Sequence, residues 1–156
     1  MTSECFVINE WLLHDLRGDN GEQAQIESIK FLETLKERCD RIAVLRGSPW
    51  MMKAYELMKY YHPFIRGFSK YLHQAILRDP KKCHLLDGND VVAISEDLRN
   101  QIPTEDVYLI QIYCSVNATA LITTDEKLYT GVSNASEVHI NVKLKPDFLK
   151  DYLIGK

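Results

Sequence analysis

The sequence predicts an α/β fold, a three-layer sandwich in which a short, mainly parallel central sheet is flanked by helices. Three observations predict it. The apolar runs Phe6-Val7-Ile8, Ile42-Ala43-Val44-Leu45, Ala120-Leu121-Ile122-Thr123 and Val138-His139-Ile140 stop abruptly at polar or turn residues, as buried strands do. The stretches between them repeat apolar residues every three or four positions, which is helical spacing. Strands this short and apolar, each separated from the next by helix, belong in a parallel sheet covered on both faces.

Each element has its own signal. The first strand stops at Asn9-Glu10, a polar turn, and Trp11 to Leu16 forms a short helix closed by the Gly18/Gly21 loop. Asn20-Gly21-Glu22-Gln23 has the form of a capping box. The helix it opens carries Ile26, Ile29, Leu32, Leu35 and Cys39 on one face and runs to about Arg38. The second strand ends before Gly47. Ser48-Pro49 then starts a helix, a hydroxyl cap followed by proline at the first helical position. That helix carries Trp50, Met52, Tyr55 and Met58, with Glu56 on another face, and His62-Pro63 breaks it. An amphipathic helix with Phe64, Phe68, Leu72 and Ile76 follows and stops before Asp79-Pro80.

From Lys81 to Gln101 only the turn Asp87-Gly88-Asn89-Asp90 and a short helix from Ser95 are legible. Pro103-Thr104 opens a helix with Val107, Ile110 and Cys114 on one face. Ala120 to Thr123 is a strand ending at Thr124-Asp125, and a short helix runs on to Tyr129. Val138-His139-Ile140 is the last expected strand and Pro146 to Leu153 the closing helix. No repeat, linker or low-complexity segment interrupts this order, so residues 1–156 read as one domain.

The composition is that of a globular protein, 46% apolar and 26% charged over 156 residues, which excludes disorder and collagen-like repeats. No apolar run approaches the roughly 18 residues of a membrane span. Glu4, Asn9 and Glu10 interrupt what would be a signal peptide. The expectation is a soluble, cytoplasmic protein with no membrane partner. Cys5, Cys39, Cys83 and Cys114 are scattered, without a C-x-x-C pair, and read as buried free thiols. A net charge of −3 gives no support to non-specific nucleic-acid binding. Lys81-Lys82 and Lys143/Lys145 read as solvated surface.

Open parallel sheets bind ligands outside the carboxyl ends of their strands. Here those ends collect acids. Asn9-Glu10 follows the first strand, Thr124-Asp125-Glu126 follows the Ala120 strand, and Glu105-Asp106 opens the helix before it. Glu56 lies about two turns into the helix after the second strand. Each has a plainer reading as well: Glu105 and Asp106 as complements of a helix dipole, Asp125 as an N-cap, Glu56 as a solvated helix residue. His14 beside Asp15 reads as a partly buried helix residue rather than a catalytic pair. The aromatic residues from Trp50 to Phe68 read as core or interface.

The segment IPTEDVYLIQIYCSVNATALITTDEKL resembles the C-terminal half of PIN-domain ribonucleases: an acid opening a helix, an apolar helix, a strand ending in Thr, then an Asp. RIAVLRGSPWMMKAYEL is similar to the family's second strand and helix, with Glu56 in the place of its glutamate. Phe6-Val7-Ile8-Asn9 is similar to the opening strand. The resemblance covers most of the chain except about Leu77 to Gln101. It implies a divalent-metal-dependent endoribonuclease, a hydrolase that cleaves single-stranded RNA by metal-activated water. Asn9, Glu56, Asp106 and Asp125 would be its catalytic set. Asp106, Asp125, Glu56 and Glu10 would hold Mg²⁺ or Mn²⁺, which take oxygen ligands. It further implies, for toxin-type members, an inhibitory antitoxin-like protein partner, and homodimers are frequent in the family. One position departs from the pattern: Asn9 stands where the family usually carries Asp. An amide offers a carbonyl oxygen but no charge, which weakens a metal site. The second expectation is therefore a catalytically degenerate PIN-like domain acting as an RNA- or protein-binding module. Receiver-type and P-loop phosphoryl-transfer motifs are missing from the sequence.

Overall fold

A computed structural model of the protein describes residues 3–154. Its centre is a five-stranded sheet in the order β3-β2-β1-β4-β5, with every pair of neighbours parallel. In chain order the elements are β1 (Cys5–Ile8), α1 (Trp11–Arg17), α2 (Glu22–Glu37), β2 (Arg41–Leu45), α3 (Pro49–Glu56), α4 (Pro63–Tyr71), β3 (Cys83–Leu86), α5 (Glu96–Asn100), α6 (Val107–Val116), β4 (Ala120–Thr123), α7 (Glu126–Ser133), β5 (Val142–Leu144) and α8 (Lys145–Ile154). A π-helical stretch, Leu72–Leu77, continues α4. A 3₁₀ turn, Thr104–Asp106, precedes α6.

Alternation along the strands divides the core into two layers. Phe6, Ile8, Ile42, Val44, Ala120 and Ile122 pack with residues of α1, α2, α3 and α8 on one face. Val7, Ala43 and Leu121 pack with residues of α5, α6 and α7 on the other. Helix on sheet on helix is the sandwich that the sequence predicts.

Several local expectations are corrected. Cys83–Leu86, within the stretch that gave no strand, is β3 at one edge. The last strand is Val142–Leu144 and not Val138-His139-Ile140; Ile140 is instead a buried anchor of the loop before it. Asn20 does not cap α2, whose N-cap is Gly21 at φ 98°; the Asn20 amide donates to Asp15 at 2.6 Å. Lys82 is buried, not solvated, and its ammonium donates to the carbonyls of Leu35 (2.8 Å) and Arg38 at the end of α2, where a cation complements the helix dipole. All four cysteines are free, but only Cys83 is buried and Cys39 is exposed. Burial pushes the Cys83 thiol up to about 12, so it stays protonated. Among the described residues no helix is long and apolar enough to cross a membrane.

Candidate functional site

Strand order reverses at β1: the chain first winds outward through β2 and β3, then returns to place β4 on the other side. A crevice opens outside the carboxyl ends of two such strands. Here it is a cavity of about 400 Å³ lined in part by Asn9, Glu10, Glu105, Asp106, Thr124 and Asp125. Asn9, Glu10, Glu105, Asp106 and Asp125, all singled out from sequence, thus converge from three separate stretches of chain. Glu56 does not join them. It is exposed near the end of α3 and does not line the cavity.

The floor is tied together by hydrogen bonds between β1 and β4. Ile122 O accepts from Asn9 N and from Trp11 Nε1, both at 3.0 Å. Asn9 is buried, its amide donating to Thr123 Oγ1 at 2.9 Å and its Oδ1 accepting from Glu10 N at 2.6 Å. Thr123 Oγ1 also accepts from Asp125 N at 3.0 Å, so one buried hydroxyl bridges the ends of both strands.

Asp125 caps α7 as an Asx residue does, its Oδ1 accepting from Lys127 N (2.9 Å) and Leu128 N (3.4 Å). Its Oδ2 takes no part in that cap. Asp106, brought in by the 3₁₀ turn, is 4% exposed. Its Oδ2 has no hydrogen-bond partner among the described residues. Burial, and then the charge of Asp125, push the Asp106 carboxyl up to about 7. A buried carboxyl raised in this way beside a second carboxylate favours a proton or a cation.

Glu10 sits differently. Its Oε1 pairs with Lys53 Nζ at 2.8 Å and its Oε2 accepts from Tyr108 OH at 2.9 Å. Burial and the Glu10 charge push the Tyr108 phenol up, so it remains a donor. Lys53 and Tyr108 were missed from sequence. The buried stripe of α3 and the 3₁₀ turn after it (Leu57–Lys59) is Trp50, Met51, Ala54 and Leu57, while Met52, Tyr55 and Met58 are half or more exposed. With the helix phased on that stripe, Lys53 points along its edge toward the crevice and Glu56 points away. At the rim, Arg17 holds the Asp19 carboxyl below its usual range, and His14 Nδ1 lies 3.2 Å from Asp19. His14 therefore engages Asp19 and not Asp15, which is buried and paired with Lys145.

No protein-family model matches the chain, and no curated protein or solved structure matches it at a significant level. Among the described residues no three Asp, Glu, His or Cys side chains form a ready metal-ligand group. What the geometry offers a cation is the pair Asp106 and Asp125: one buried, unpartnered oxygen and one neighbouring carboxylate. That fits one hard ion that keeps most of its waters, as Mg²⁺ does.

Proposed function

We propose that this chain is a PIN-like, metal-dependent nuclease that hydrolyses single-stranded RNA at the β1/β4 crevice, with Asp106 and Asp125 holding one Mg²⁺ or Mn²⁺. The observation that carries the reading is the buried, unpartnered Asp106 oxygen beside Asp125 at the strand-order reversal. When bound, such a cation supplies an acidified water and offsets charge growing on a phosphate. The chain's own contribution is positional. Thr123 holds Asp125 and Asn9 in register, and α7 fixes the Asp125 rotamer through its cap. Asn9, locked by both of its amide atoms, shapes the floor. Glu105, exposed at the mouth, adds to the negative potential. Neither Glu56 nor Glu10 belongs to this reduced set.

The test is cleavage of a single-stranded RNA in Mn²⁺ by the parent chain, Asp106→Asn and Asp125→Asn. The parent is expected to cut and both variants to fall to background. Equal rates in all three would falsify the assignment.

A second reading is supported by Lys53. Its ammonium already neutralises Glu10, as a resident cation would, and Asn9 brings no charge. On this reading the crevice is a binding module for RNA or a protein, without cleavage. Calorimetric titration with Mn²⁺ separates the two: saturable, stoichiometric binding favours the nuclease, and its absence favours the module.

A further inference from the structure

A second cavity, of about 270 Å³, lies along α4 and the π-helical stretch, with Met58 at one wall. Its polar lining is Arg66, Ser69, Lys70, His73, Gln74 and Arg78, and no Asp or Glu lines it. This is unusual for a chain whose net charge is −3. None of Arg66, Lys70 and Arg78 forms an ion pair among the described residues. Asp79, the acid next to Arg78, is turned to Lys36 at 3.0 Å.

The backbone places these cations together. Lys70 and Arg78 are eight residues apart, which at about 3.6 residues per turn overshoots two turns by roughly 80°. Over Leu72–Leu77 the helix widens, and Arg78 N bonds to His73 O at 3.0 Å, five residues back. The wider turn removes much of the overshoot and brings Arg78 round to the face of Lys70. Such π segments often mark functional sites.

Two polar groups complete the floor. Ser69 is 1% exposed, and its hydroxyl has no hydrogen-bond partner among the described residues. A buried hydroxyl without a partner is destabilising, and a ligand that seats on it recovers that loss. His73 is held in place, its Nε2 donating to Ala54 O at 2.8 Å and its ring stacked on Tyr55.

We propose that this cavity is a phosphate-binding site, in which Arg66, Lys70 and Arg78 supply charge and Ser69 a hydroxyl donor. Guanidinium groups match phosphate oxygens in pairs, and a cavity of this size admits one phosphate group. The phosphate belongs either to a free ion or to an RNA backbone. The proposal does not depend on the Asp106/Asp125 reading.

The experiment is a ¹H–¹⁵N NMR titration of the full chain with inorganic phosphate at constant ionic strength, and separately with a ten-nucleotide single-stranded RNA. Saturable shifts are expected at Gly67, Ser69, Lys70, Gln74 and Arg78. Arg66→Gln combined with Arg78→Gln is expected to weaken binding by about tenfold or more. Gly67→Asp provides a second variant. A Cβ there meets nothing within 4 Å, so the fold is kept while a negative charge enters the site, and binding should vanish. Ser69→Ala should weaken it severalfold. Asp106→Asn with Asp125→Asn should leave it unchanged, so that failure at one site is not failure at the other. Shifts from RNA at the same residues identify the backbone as the source, and shifts from phosphate alone identify a free anion. Shifts scattered over unrelated lysines, or titrations indifferent to the Arg66, Arg78 and Gly67 substitutions, overturn the proposal.

Discussion

In the crevice the fold acts on Asp106 at the level of a single proton. Burial, then Asp125, lifts its carboxyl to about 7, whereas in the unfolded chain it titrates near about 3.9. Between those values the folded state binds more protons than the unfolded one. The group's contribution to stability is therefore fullest below about pH 4 and is lost as pH rises through about 7. Asp106→Asn removes that loss. The variant should melt several degrees above the parent at pH 8 and close to it at pH 4.5, a chain of this size gaining about 2–4 °C per kcal/mol. Thermal scans at the two pH values check this, and an equal offset at both would mean that Asp106 holds no extra proton. Asn9 sets the complementary expectation. Asn9→Asp keeps an oxygen to accept from Glu10 N, and the Thr123 hydroxyl can turn to donate in place of accepting. The fold should survive, and the added charge should tighten Mn²⁺ binding by at least about tenfold. An unchanged Mn²⁺ affinity in calorimetry would place Asn9 outside the coordination shell.

At the level of elements, helix phase decides which charges meet. Lys53 reaches Glu10 because Trp50, Ala54 and Leu57 turn inward. Lys53→Met should cost less than about 1 kcal/mol in stability, since the pair is partly exposed, yet it frees Glu10 and should strengthen Mn²⁺ binding. No gain in affinity would show that Glu10 lies beyond reach of the ion. This phase was not legible in the sequence: Met52, Tyr55 and Met58 mimic an apolar face while pointing outward. The end of β4 was legible, because Thr123-Thr124-Asp125 follows a wholly buried strand. Edge strands were harder to read. β3 contains His84 and the exposed Leu85, and β5 has no fully buried residue, so neither displays the apolar run of a central strand. Close packing of α7 was likewise hidden, in a lone glycine. A Cβ on Gly131 would collide with the carbonyl oxygen of Gln101. Gly131→Ala should thus destabilise the chain by about 1–3 kcal/mol despite its better helix propensity. A denaturant midpoint at or above the parent's would contradict that packing.

Over the whole molecule, the sheet is the element that both cores share, and the crevice exists only where its two halves meet. Phe31 represents one core, fully buried and within 6.3 Å of the rings of Trp11, Phe148 and Tyr152. Leu109 represents the other, 1% exposed on α6. Alternate residues of each four- or five-residue strand serve opposite layers, so neither layer retains a packing surface once the sheet has opened. Unfolding should therefore be a single transition. Phe31→Ala should cost about 3–5 kcal/mol and Leu109→Ala about 2–5, each shifting the same transition without broadening it. Tryptophan fluorescence follows the first layer, through Trp11 and Trp50, and far-ultraviolet circular dichroism follows both. The two signals should coincide in the parent and in both variants. If Leu109→Ala melted its own layer while the tryptophan signal held, the sheet would be two weakly coupled halves, and the crevice between β1 and β4 would lack the rigidity needed to hold Asp106 against Asp125.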